Sequence, residues 1–225
     1  MLRSVHALVV GGSGLVGRSL LEFLLADARV ERVVGVVRRA SLPSHPKLEQ
    51  RVVDFETLED ALRGVSATHA FCCLGTTIAQ AGSKQAFRRV DFEYPLAFAR
   101  AARENGAQSY LLVSAAGANP NSLVFYNRVK GEVERALAEL GFTSLHLLRP
   151  SLLLGEREKP RTGELLGAAM ARPLRAVFRG RLAKYAPIAA RDVAKALVAL
   201  GLERQRAGCF VHESDEIARI ASAYG

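Results

Sequence analysis

The sequence is short of the features that would place it outside the ordinary globular enzymes. Its longest apolar runs are about six residues, far from the ~20 that cross a bilayer, so no membrane-spanning helix is expected. Cysteine is scarce: Cys72, Cys73 and Cys209 form neither a disulfide framework nor a zinc-ligand pattern. Neighbouring strand residues point to opposite faces, so Cys72 and Cys73 are expected to be packing residues. The five histidines are scattered, which argues against a metal site. No internal repeat or low-complexity linker interrupts the chain. Strand-like sequence begins at Val5, leaving no recognisable secretory signal, and the cytoplasm is the expected compartment. Acidic residues are the minority, 22 Asp and Glu against 31 Lys and Arg, for a net charge of +9. Such an excess suits an anionic partner. No helix-turn-helix, zinc-finger or aromatic-basic RNA motif accompanies it, so a phosphate-rich cofactor explains part of the charge better than nucleic acid does.

What is present begins with VHALVVGGSGLVG, Val5 to Gly17. Val5 to Val10 reads as a strand buried on both faces. Leu15 to Ala26 carries Leu15, Val16, Leu20, Phe23 and Leu24 at the spacing of a helix with one buried face. Gly11, Ser13 and Gly14 lie between them, and Gly17 falls in the helix's first turn. Strand, glycine turn and helix in that order suit a pyrophosphate seated on the exposed amides around Leu15 and Val16, where a Cβ would obstruct it. An ordinary strand-to-helix turn is the competing reading.

Val33 to Val37 reads as the second strand, closed by Arg38 and Arg39 where an NAD-preferring site normally has an acid for the ribose hydroxyls. Two guanidiniums suit a 2′-phosphate instead, which predicts NADPH as the cofactor. The alternative is that they face water. A third strand, Arg51 to Val53, ends at Asp54 and Phe55, where adenine would lie; Asp54 serves either the adenine amino group or its own loop. Ala70 to Leu74 is a fourth strand running into Gly75, Thr76 and Thr77, beside the cofactor crevice in a sheet of order 3-2-1-4-5-6. The threonines can equally cap the next segment. A helix is expected from about Asp91 to Asn105, then a fifth strand, Ser109 to Ser114, and a helix from about Ser122 to Leu140.

On that last helix Tyr126 and Lys130 are four apart and share a face. A nearby ammonium favours the phenolate form of a tyrosine, and Ser114 at the fifth strand's end would hydrogen-bond the same substrate oxygen. The glycine turn, the set Ser114, Tyr126 and Lys130, and the RPS at Arg149, Pro150 and Ser151 resemble an atypical short-chain dehydrogenase/reductase. FCCLGTT, RVDFEYP and YNRVKGEVE are similar to the Tat-interacting protein family, from the first strand to about Leu166. The resemblance implies an NADPH-binding Rossmann domain, with Lys130 and Pro150 also touching the cofactor. One departure is Asp91, where many relatives in the wider superfamily carry Asn at the start of the helix; an ionised Asp cannot donate in a proton relay as Asn does.

A sixth strand, Ser144 to Leu148, precedes a basic stretch that includes Arg172, Arg175, Arg179, Arg181 and Lys184. It is expected to be a substrate lid, with a solvated face, a membrane-surface helix or an acidic protein contact as alternatives. Pro187 to Val193 leads into a helix through Leu200, and a final helix spans Ser214 to Ala223. The expected whole is an α/β, doubly wound parallel Rossmann sheet forming one domain over 1–225, to which about 155–225 contributes the small lid. The expected function is an NADPH-dependent oxidoreductase acting on a small carbonyl or alcohol compound. The rivals are a non-catalytic NADPH-binding regulatory protein and, further off, a nucleotide-sugar epimerase or dehydratase, for which the C-terminal part is scant.

Overall fold

A computed structural model describes residues 4–155, 185–203 and 206–224. Its centre is a seven-stranded sheet in the order β3-β2-β1-β4-β5-β6-β9, with every neighbouring pair parallel. The strands are β1 (Val5–Val10), β2 (Val30–Val37), β3 (Leu48–Val52), β4 (His69–Cys72), β5 (Ser109–Val113), β6 (Ser144–Arg149) and β9 (Gly208–Glu213). Two short strands, β7 (Leu153–Leu154) and β8 (Ile188–Ala189), pair with each other beside it. The six-strand order expected from the alternation of strands and helices is therefore present, extended by one strand beyond β6.

Helices cover both faces, as parallel strands require. On one face lie α1 (Leu15–Ala26), α7 (Ala190–Leu202) and α8 (Ser214–Ala223), burying Leu20, Leu24, Val193 and Leu197 against Val9, Phe71 and Leu111. On the other lie α2 (Leu58–Ala61), α5 (Tyr94–Glu104) and α6 (Phe125–Ala138), burying Phe98, Val133 and Leu137 against Tyr110, Leu112 and Leu147. Two short helices, α3 (Ile78–Ala81) and α4 (Lys84–Arg88), precede α5.

The helix expected from Asp91 starts earlier and is not uniform. After α4 the chain makes a π turn over Arg89–Glu93 before α5 begins. Pro95 has no N–H to return to the carbonyl four residues back, and the wider turn accommodates it. Asp91 thus sits inside a continuous helical path, with its side chain buried.

The C-terminal stretch departs from the lid expectation in its described part. Ala190–Leu202 and Gly208–Glu213 are a helix and a strand of the main body. The basic residues Arg172, Arg175, Arg179, Arg181 and Lys184 fall outside the described residues.

Candidate active site

The C-terminal ends of β1, β4 and β5 open onto a cleft of about 300 Å³. Such an edge is where parallel α/β sheets bind their ligands. Its floor is the glycine turn. Gly11 has φ +80°, and a Cβ there would lie 2.5 Å from the Cys73 carbonyl carbon; on Gly17 it would lie 2.1 Å from the Gly11 carbonyl oxygen. These two glycines let β1, α1 and the end of β4 meet closely. Ser13, Gly14, Leu15 and Val16 line the cleft itself. Gly14 is the N-cap of α1 and supplies no side-chain cap, and the first turn of α1 carries no acid. The helix start therefore presents backbone donors and positive dipole to the cleft, a cradle suited to a pyrophosphate. Arg18, also on the lining, donates from Nε to the Ser13 carbonyl at 3.0 Å.

The wall from β4 consists of Cys73, Leu74, Gly75 and Thr76. Cys72 and Cys73 pack into the cores on the two opposite faces of the sheet, as expected of neighbouring strand residues, and Cys73 also borders the cleft. Cys72 is buried and Cys73 partly so, and burial holds the Cys73 thiol well above the ordinary range. Thr77, not Thr76, caps the next helix, accepting from the Gln80 N–H at 3.2 Å. The Thr76 N–H donates to Asp91 Oδ2 at 2.9 Å.

The opposite wall is α6. The loop between β5 and α6 is tied to the helix by the Asn119 N–H on the Asn127 carbonyl at 3.0 Å and by Arg128 Nη1 on the Ser122 carbonyl at 2.9 Å. This fixes Ser114 opposite Tyr126 and Lys130, all three on the lining. Lys130 is only 4% exposed, and its Nζ lies 2.7 Å from Asp91 Oδ1. Burial works against the ammonium, but the Asp91 carboxylate outweighs it and holds the lysine above its ordinary range. Tyr126 is half-buried, its ring 5.3 Å from that of Phe87.

Ser114 is engaged from behind. Its Oγ donates to Glu134 Oε1 at 2.5 Å, and Arg149 donates to the same carboxylate from Nε at 3.0 Å and Nη2 at 2.6 Å. The Arg149 guanidinium also reaches Glu213 at 3.3 Å and is held above its ordinary range chiefly by the bond to Glu134. Glu134, the pairing of Arg149 with it and the lysine-binding role of Asp91 are what the sequence reading missed. The signal for Glu134 was available: Tyr126, Lys130 and Glu134 recur every four residues along one helix face.

The remaining expected cofactor residues lie around this centre. Arg38 and Arg39 are exposed just past β2, with the Arg38 guanidinium 5.8 Å over the Phe55 ring. Phe55 is buried and meets Tyr94 edge-on at 5.4 Å. Asp54 accepts from the Glu56 N–H at 3.0 Å, the loop-capping role of its two alternatives. Pro150 is buried, its carbonyl accepting from the Ala116 N–H at 2.9 Å. Among the described residues no group of three or more His, Cys, Asp or Glu side chains is placed to hold a metal ion. Nor is any described helix long and apolar enough to cross a membrane.

Known proteins place this architecture. The oxidoreductase ylbE from Lactococcus lactis superposes with a TM-score of 0.69 at 16% identity, covering 97% of this chain and 95% of that one. MoeE5, solved in complex with UDP-glucuronic acid and NAD, gives a TM-score of 0.69 at 19% identity over 92% of this chain and 75% of its own. Both likenesses establish the fold. In sequence, Protein FMP52, mitochondrial, of Eremothecium gossypii is 35% identical over 223 residues, 96% of this chain and 97% of that protein. Protein HTATIP2 of Rattus norvegicus is 36% identical over 171 residues, 73% of this chain and 69% of that protein. Similar FMP52 proteins of other fungi are also named mitochondrial, which overturns the cytoplasmic expectation. A family model described as NAD(P)H-binding matches residues 11–203. The chain belongs to that NAD(P)H-binding family, as an atypical short-chain dehydrogenase/reductase related to FMP52 and to HTATIP2 of the Tat-interacting protein family.

Proposed function

We propose that this protein binds NADPH in the cleft and exchanges a hydride with a small carbonyl or alcohol compound, Tyr126 exchanging the proton. The observation that carries this reading is convergence: the uncapped start of α1 and the side chains of Ser114, Tyr126 and Lys130 line one cleft. The turn from Gly11 to Gly17 would hold the pyrophosphate, and Leu74, Gly75 and Thr76 would lie along the dinucleotide. Arg38 and Arg39 would take the 2′-phosphate, Asp54 and Phe55 would border the adenine, and Pro150 the nicotinamide end. The nicotinamide, when bound, gives or accepts the hydride.

The chain's own residues do the rest. Tyr126 donates its hydroxyl proton to the carbonyl oxygen in reduction and takes one back in oxidation. Lys130 is held as an ion pair 2.7 Å from Asp91 Oδ1, and its ammonium would donate to a ribose and to the tyrosine's surroundings. Asp91 holds the lysine charged and in place.

A second reading, a binding protein that uses NADPH occupancy to control a partner, draws on the same ion pair. An ammonium neutralised at 2.7 Å stabilises a phenolate less than a free one would. A panel of carbonyl compounds with NADPH separates the readings. Tyr126→Phe should lower turnover about 10² to 10⁴-fold while leaving NADPH affinity nearly intact. Turnover that survives the change removes Tyr126 from the chemistry; a wild type that reduces nothing but binds a partner only with NADPH favours the second reading.

A further inference from the structure

Glu134 is buried, carries a bidentate guanidinium, and accepts from Ser114 Oγ at 2.5 Å. Both Glu134 oxygens accept from Arg149, and a carboxylate in such a bidentate pair takes further donors rather than giving a proton. Ser114 has one proton, and it is committed to Glu134. Hydrogen bonds to charged groups are the strong ones, so a neutral ligand oxygen competes poorly for that proton. What Ser114 offers the cleft is its lone pairs.

We propose that Glu134 fixes Ser114 as a hydrogen-bond acceptor, so that the ligand places a donor, a hydroxyl or N–H, beside its reacting carbon. This rests on the cleft being the substrate site. It changes the role expected of Ser114, which was to share the reacting oxygen with Tyr126. A carbonyl oxygen has no proton to give, and in an alcohol the single hydroxyl proton goes to Tyr126. The proton that satisfies Ser114 must therefore come from a second group on the substrate, which selects α-hydroxy carbonyl compounds, vicinal diols and their amide analogues over simple ketones. Glu134 is a positioning residue here and touches no substrate itself.

The test is binding without turnover. Hydroxyacetone against acetone, and 2-hydroxycyclohexanone against cyclohexanone, are titrated by ligand-observed NMR onto the whole protein saturated with NADP⁺, which cannot reduce the carbonyl, and are read before any NADPH absorbance appears from oxidation of the hydroxyl. The wild type should bind each hydroxylated member about tenfold more tightly, the worth of one hydrogen bond. Ser114→Ala should erase the preference while keeping the Glu134–Arg149 pair. Glu134→Gln, whose amide can donate to Oγ and turn the serine proton into the cleft, should shrink or invert it. In the ligand-free protein the Ser114 hydroxyl proton should be protected from exchange and lose that protection in Glu134→Gln. Equal binding within each pair, a preference that outlasts Ser114→Ala, or an unprotected hydroxyl overturns the inference. Failure of the proposed reaction looks different: nothing is reduced with NADPH, yet the preference stands.

Discussion

The two walls of the cleft are built by different means. The glycine turn contributes backbone: bare amides at the start of α1 and two glycines whose missing side chains allow close contact. The α6 wall contributes side chains, two of them charged and already paired, Lys130 with Asp91 and Glu134 with Ser114 and Arg149. A backbone site binds a group common to many ligands and tolerates no added atom. A side-chain site holds its charges in networks whose partners come from distant elements, so it can be retuned one residue at a time. The comparison predicts steric failure at one wall and electrostatic failure at the other.

The largest effect should come from the turn. Gly17→Ala places a Cβ 2.1 Å from the Gly11 carbonyl oxygen, with backbone on both sides of the clash. It should cost about 4 kcal/mol or more and abolish NADPH binding in whatever remains folded. A urea midpoint near wild type with intact cofactor binding would show that the two elements can separate cheaply.

Next comes the ion pair. Asp91→Ala leaves the Lys130 ammonium buried and unpaired, and should cost about 3 kcal/mol. Asp91→Asn keeps an acceptor for the Thr76 N–H and should cost less. If the two variants unfold at the same urea concentration, the charge of Asp91 is irrelevant to the α6 wall.

These two substitutions also mark how far the sequence could be read. Gly11, Gly14 and Gly17 are legible because strand, turn and helix are contiguous, and their alternation carries the six-strand order. Tyr126 and Lys130 are legible for the same local reason. Asp91 with Lys130 and Glu134 with Arg149 are not, because each pair joins elements that only the folded sheet brings together. The seventh strand escaped for another reason. Gly208–Glu213 is an edge strand with Cys209 and Val211 exposed, so it lacks the apolar run that announces β1 or β5.

Acid should act unevenly across the sheet as well. On β6, three residues before Arg149 and on the opposite face, His146 Nδ1 lies 3.0 Å from His212 Nε2 on β9. Ser144 Oγ lies 3.0 Å from His146 Nε2, and Glu216 approaches His212 at 3.2 Å. Burial first, then His212, lowers His146 from 6.5 to about 4, and burial lowers His69 on β4 equally far. Between these values the unfolded chain binds more protons, so stability is full above pH 6.5 and declines as the pH falls towards 4, by up to about 3 kcal/mol per group. Hydrogen exchange at pH 4.5 should show β9 and α8 opening before β1 and α1. Equal protection at both ends would place the loss elsewhere; His146→Gln should flatten the pH dependence.

The smallest effect concerns two side chains beyond the glycine turn, the arginines past β2. No acid follows β2 to serve a ribose hydroxyl, and Arg38 and Arg39 are exposed there, Arg38 stacked over Phe55. Bidentate pairing with a 2′-phosphate would favour NADPH over NADH, but both guanidiniums are solvated, so most of the charge attraction is screened. Changing both to alanine should weaken NADPH about tenfold, leave NADH affinity unchanged, and show most at low salt. Calorimetric titration of both cofactors at two ionic strengths checks this. If NADH weakens in parallel, the arginines act only through the overall positive field; if neither changes, the 2′-phosphate is held elsewhere, and Arg18 on the cleft lining becomes the next residue to vary.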